Sequence, residues 1–151
     1  MKLVQTKIRR LQMTKHQLPI TGHCLCGDIQ FEITQEPLRA GLCHCRSCQI
    51  KSGADHIAYI AVAKEAVNIQ GESSWFQAVG GSGQSKKHGF CSRCGSNLFG
   101  KPQHWPHILV VYIGALDKPN DFKPEVNIWM QDALTWSCID KNLENFEKNP
   151  L

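Results

Sequence analysis

Seven of the eight cysteines in this 151-residue chain fall into three tight clusters: Cys24 and Cys26; Cys43, Cys45 and Cys48; Cys91 and Cys94. This distribution constrains the fold more than the hydrophobic pattern does, because local groups of sulfurs are an economical way to assemble a tetrahedral metal site. If each cluster stays intact, one partition yields a four-sulfur site from Cys24, Cys26, Cys91 and Cys94. Cys43, Cys45 and Cys48 then form a three-sulfur site with one open position. Four protein ligands mark a structural zinc, whereas three plus an exchangeable position is the usual form of a catalytic one. Two zinc ions per chain are therefore expected.

The glycines agree with this reading. Gly95 follows Cys94 and Gly27 follows Cys26, where a metal knuckle needs a left-handed residue so that backbone N–H groups can point at sulfur. In extended chain, side chains two apart share a face, so Cys24 and Cys26 can converge without a helix. The competing reading is a disulfide framework, which belongs to oxidising compartments. The first 22 residues are interrupted by Lys2, Lys7, Arg9, Arg10 and Lys15 and leave no apolar core for an export signal. No later segment approaches the ~18 apolar residues of a membrane span. A reducing, cytoplasmic setting is expected, and metal is preferred to disulfides.

Charge narrows the class of partner. The formal net charge is +4, yet no acidic residue precedes Asp28, and residues 1–19 carry five of the 17 Lys and Arg. Without those five, 12 basic residues face 13 acidic ones. Phosphate binding needs positive charge clustered on one face, so no nucleic-acid partner is expected. The chain divides into a basic, flexible N-terminal tail over residues 1–19 and a single domain over 20–151, a common domain size. Lys86, Lys87 and His88 beside one knuckle, and Arg46 and Lys51 beside the triad, read as solvated surface unless a small anionic substrate docks there.

Strand signals outnumber helix signals. Residues 28–33 alternate polar and apolar, placing Ile29, Phe31 and Ile33 on one face of a half-buried strand. Short runs at 57–62, 67–70, 75–79, 108–113, 126–130 and 135–139 read the same way, with turn residues at 80–83 and 117–121 between them. Many short strands without a sustained 3.6-residue period favour a mainly β, antiparallel architecture. Short helical turns are expected after Cys45 and around 143–148. A metal joining residues 24 and 26 to 91 and 94 would close a loop of roughly 65 residues, and long loops restrict the unfolded chain most.

The stretches 22–27, 43–48 with Gly53, and 90–96 resemble the glutathione-dependent formaldehyde-activating enzyme family, which shares its domain with centromere protein V. Residues 113–117, 122–124, 128–129 and 135–136 resemble that family's C-terminal half in order and spacing. The resemblance runs from about residue 20 to the end. It implies a β-tent fold of antiparallel sheets, structural zinc on Cys24, Cys26, Cys91 and Cys94, and a second zinc on Cys43, Cys45 and Cys48. It also implies a carbon–sulfur lyase-type reaction, addition of glutathione to formaldehyde to give S-hydroxymethylglutathione. Fold does not fix function, and a non-catalytic zinc-binding interaction module with the same fold is the alternative.

Zinc with three thiolates carries a formal charge of −1 and is poorly suited to making hydroxide from water. It suits thiol chemistry: glutathione sulfur can take the open position and attack an aldehyde held alongside. A general acid must then protonate the developing alkoxide, and His44, His56 and a bound water are the candidates. His44, between two ligands, is also a candidate fourth ligand. Cys138 reads as a small buried hydrophobe, most tryptophans as core, and His104 and His107 as loop residues without metal partners.

Overall fold

The fold was taken from a computed structural model, which describes residues 15–150. It is mainly β. Among the described residues eleven strands form two sheets. The smaller sheet contains β1 (Ile20–His23), β2 (Gln30–Ile33) and β5 (Val67–Gln70), all antiparallel. The larger one contains β3 (Arg39–Cys43), β4 (Ile57–Ala63), β6 (Ser74–Val79), β7 (Ser85–Phe90), β8 (Asn97–Pro102), β9 (Ile108–Tyr112), β10 (Val126–Ile128) and β11 (Glu144–Asn145). Its spatial order is β11-β10-β3-β4-β9-β8-β7-β6.

The alternating run at 28–33 becomes the turn into β2 and β2 itself, with Ile29, Phe31 and Ile33 buried as expected. Because the side-chain period of a strand is two, pairing register assigns each residue of the larger sheet to a face. One face carries Ala40, Ile60, Val62, Phe99, Leu109 and Val111. These pack with Ile20, Phe31 and Ile33 of the smaller sheet into the main core. The opposite face carries Cys43, Tyr59, Tyr112, Gly100, His88, Lys86, Val126 and Ile128. A second, smaller core forms there around Cys43, Cys48, Tyr59, Tyr112 and Trp129.

One helix, α1 (Arg46–Ser52), follows Cys45, where a helical turn was expected. Cys45 caps it, accepting the Cys48 N–H on Sγ, and Gly53 ends it in the left-handed conformation at φ 71°. Gly is favoured there because it has no Cβ to clash.

The larger sheet is antiparallel apart from β10, which runs parallel to both β3 and β11. Two expectations need correction. Within the stretch 143–148 no helical turn forms; Glu144–Asn145 pair as β11 instead, because the neighbouring edge of β10 offers unpaired backbone groups. The stretch 135–139 forms no strand, and Trp136 and Cys138 are exposed instead of buried. The expected tail 1–19 lies outside the described residues up to 14. Its final part lies on the body, where the His16 ring stacks on Phe122 at 4.4 Å and pairs with Glu36 at 2.7 Å. Among the described residues no helix is long and apolar enough to cross a membrane.

Two candidate metal centres

Two similar knuckles bring the four-sulfur group together. After β1, the N–H of Gly27 donates to the Cys24 carbonyl at 2.9 Å; after β7, the N–H of Gly95 donates to that of Cys91 at 2.8 Å. Both glycines are left-handed, at φ 82° and 74°. Backbone N–H groups turn toward sulfur, as when Ile29 donates to Cys24 Sγ at 3.3 Å. The knuckles are tied by the Leu25 N–H donating to Ser96 Oγ at 2.9 Å and by Arg93 donating to Asp28 at 2.9 and 3.1 Å. The four sulfurs lie within 4.8 Å of one another, with Cys24–Cys26 at 3.5 Å and Cys26–Cys91 at 3.7 Å. A tetrahedron with Zn–S bonds of about 2.3 Å has sulfur–sulfur edges of about 3.8 Å, so the donor set fits zinc.

The three-sulfur group is built on the other face. Cys43 ends β3, Cys45 caps α1 and Cys48 lies in its first turn, and their sulfurs also lie within 4.8 Å of one another. Taken by themselves, these sulfurs titrate as a unit. Hydrogen bonds from the Cys43 and Cys48 thiols hold Cys45 down at about 2, while the bond to Cys45 pushes Cys43 well above the usual thiol range. Three sulfurs sharing protons in this way form a donor set in which a divalent cation would take the protons' place.

Residues 19–132 match the family described as glutathione-dependent formaldehyde-activating enzyme. The chain belongs to this family. Comparison with curated proteins finds no match. Among solved structures, the chain is similar to a crystal structure of a Rhodobacter sphaeroides protein, with 24% identity, a TM-score of 0.52, and coverage of 64% of this chain and 87% of that one. That likeness supports the fold.

In this member of the formaldehyde-activating family the two histidines expected near the triad lie apart from its sulfurs. His44 is 1% exposed, and its Nε2 lies 3.0 Å from Asn127 Oδ1. Among the described residues the group of mutually close ligand atoms comprises the three sulfurs and no histidine. Its ring lies 5.2 Å from that of His56, whose Nδ1 is 2.9 Å from Asp55 Oδ1, a close contact lacking hydrogen-bond geometry. His104 lies against Trp105, and Cys138 is exposed, apart from both groups.

Other residues take the places beside the triad. Lys51, one turn beyond Cys48, donates to Tyr112 Oη at 2.9 Å, and His88 Nδ1 lies 3.4 Å from the same oxygen. Burial, then the charge of Lys86, pulls Lys51 down to about 8. Burial, then Lys51 and Lys86, pulls His88 down to about 4, leaving a neutral ring. Burial, then the Cys48 sulfur, pushes the Tyr112 hydroxyl up, so it keeps its proton. Trp129 adopts φ 60°, rare for a non-glycine, and its ring packs over Gly81 in the β6–β7 turn, spanning this face. From sequence, Lys51 and Lys86 read as surface unless an anion docks. Tyr112 carries no signal beyond its place in an apolar run, and Trp129 none beyond its part in the family resemblance.

Proposed function

We propose that this chain adds glutathione, or a closely related thiol, to formaldehyde or another small aldehyde, with two zinc ions held by its two cysteine groups. Membership in the formaldehyde-activating family supports the reaction class. The observation that carries the assignment to this site is a cluster of three sulfurs that gathers no fourth His, Cys, Asp or Glu among the described residues, on a sheet face separate from the four-sulfur cluster. When bound there, zinc would lower the pKa of an incoming thiol while leaving its sulfur nucleophilic.

The chain's own residues supply the rest. α1 orients Cys45 and Cys48 through its cap, and β3 fixes Cys43 beside them. Gln49 locks the helix start by donating to the His44 carbonyl at 2.8 Å and the Asp132 carbonyl at 2.9 Å. In the addition a sulfur–carbon bond forms, the carbonyl π bond breaks, and the proton lost by the thiol ends on the former carbonyl oxygen. No oxidant is needed. Held orientation converts a bimolecular encounter into an effectively unimolecular one. Eight unpaired cysteines suit a reducing compartment, and we place the protein in the cytoplasm.

Cys48→Ser tests the reading. The expected result is zinc content falling from two to about one per chain, with S-hydroxymethylglutathione formation, followed by NMR exchange between free and adduct formaldehyde, falling to the uncatalysed rate. Unchanged exchange would remove the reaction from the triad. Intact zinc binding with no catalysis in the unaltered protein would favour a structural module.

A further inference from the structure

Two lysines lie beside the triad with no carboxylate paired to either among the described residues. Lys51 Nζ is committed to Tyr112, lying 2.9 Å from its hydroxyl and 4.2 Å from the ring centroid. Lys86, from β7, reaches toward the same hydroxyl across Gly100. A Cβ built on Gly100 would meet Lys86 Cε at 2.7 Å and both Lys86 Nζ and Tyr112 Oη at 3.3 Å, so glycine lets the Lys86 side chain lie across this strand and bring its ammonium to the Tyr112 side.

The register places this recess on the triad's face. Tyr112, Gly100, His88 and Lys86 follow one another across β9, β8 and β7, on the side of the sheet that carries Cys43. Among the described residues none of these polar groups hydrogen-bonds a cysteine sulfur, and Tyr112 packs in the same small core as Cys43 and Cys48. A zinc ion on three thiolates has a formal charge of −1, which balances one lysine and leaves one positive charge over. Partly desolvated ammonium groups are costly without a partner, and the partner missing here is a small anion.

We propose that Lys51, Lys86 and Tyr112 form an oxyanion recess that takes an anionic oxygen of the substrate bound at the triad. This rests on the thiol–aldehyde reading given above. The oxygen has two possible sources, a carboxylate of the thiol or the alkoxide formed as sulfur adds to the aldehyde. Both ask for the same donors: two ammonium groups and a protonated phenol gathered on one side of the triad.

Formate, a one-carbon carboxylate, tests the recess without any turnover. Titrated into the purified protein and followed by NMR of the Tyr112 ring, it is expected to give a saturable shift, weakened at least tenfold in Lys51→Gln and Lys86→Gln at unchanged Tm. A shift that does not saturate, or that is equal in all three proteins, overturns the proposal. Steady-state kinetics with mercaptoacetate and 2-mercaptoethanol then distinguish the sources. A rise in KM for mercaptoacetate alone in Lys86→Gln assigns the recess to the carboxylate. A tenfold fall in kcat with both thiols assigns it to the alkoxide, and parameters unchanged with both thiols overturn its role with substrate. If the unaltered protein processes neither thiol, the thiol–aldehyde reading fails, and the formate titration still decides whether an anion recess exists.

Discussion

A single methyl group separates a working junction from a blocked one at Gly22. A Cβ there would collide with the Phe31 ring and the Ala115 carbonyl, neither of which has space behind it, since Phe31 belongs to the main core. Gly22→Ala is expected to cost about 3 kcal/mol by overpacking, measured by urea denaturation. Asn127, wholly buried, accepts from His44 and donates to Asn145 Oδ1 at 2.8 Å, joining β10 to the residue after β3 and to β11. Asn127→Leu orphans the imidazole and should cost about 1–3 kcal/mol in the same assay. Nearby, Asp117 accepts from Thr21 Oγ1 and contacts His23 Nδ1, each at 2.6 Å, and these bonds, Thr21 first, hold its pKa below the usual carboxylate value. A depressed carboxylate contributes stability above its unfolded pKa and loses it as pH falls through the folded one. Asp117→Asn should therefore be less stable than the unaltered protein at pH 7, with the difference shrinking as acid takes the pH below the ordinary carboxylate range, as read by thermal melts across pH.

Among the elements, the strands that sequence reveals and those it hides differ in what they face. β2, β4, β5 and β9 show apolar alternation or β-branched runs, and β6 shows Trp75 and Phe76, so all five were legible. β7 (Ser-Lys-Lys-His-Gly-Phe) and β8 (Asn-Leu-Phe-Gly-Lys-Pro) were not. Their triad-facing positions are held by Lys86, His88 and Gly100, residues of the recess that weaken the periodic signal. β3 was hidden for a related reason, since Gly41 is small where Tyr59 and Val126 approach. The sulfur clusters were legible because ligand spacing is local; the lysines and Tyr112 were not, because only long-range pairing brings them together. The knuckles also set an energetic scale. They join the end of β1 to the loop between β7 and β8, so Cys94→Ser should lower stability by at least about 4 kcal/mol and reduce bound zinc to one per chain, read by denaturation and metal analysis.

At the scale of the whole molecule, the parallel placement of β10 between β3 and β11 was the feature least available to sequence, because no short turn specifies it. It gives the triad's strand a neighbour and sets Trp129, at the end of β10, over the recess side. The larger sheet then lies between two cores that share no buried residue, one containing Cys24 and Cys91, the other Cys43 and Cys48. Substitutions in the two sites should behave as independent events. The stability loss of the Cys48→Ser, Cys94→Ser double variant is expected to equal the sum of the single losses within about 0.5 kcal/mol, as found for sites without shared partners. A sheet that keeps its two sides energetically separate makes one side free to change: residues over the triad can be exchanged for those suited to another thiol adduct while the knuckles continue to hold the chain in shape.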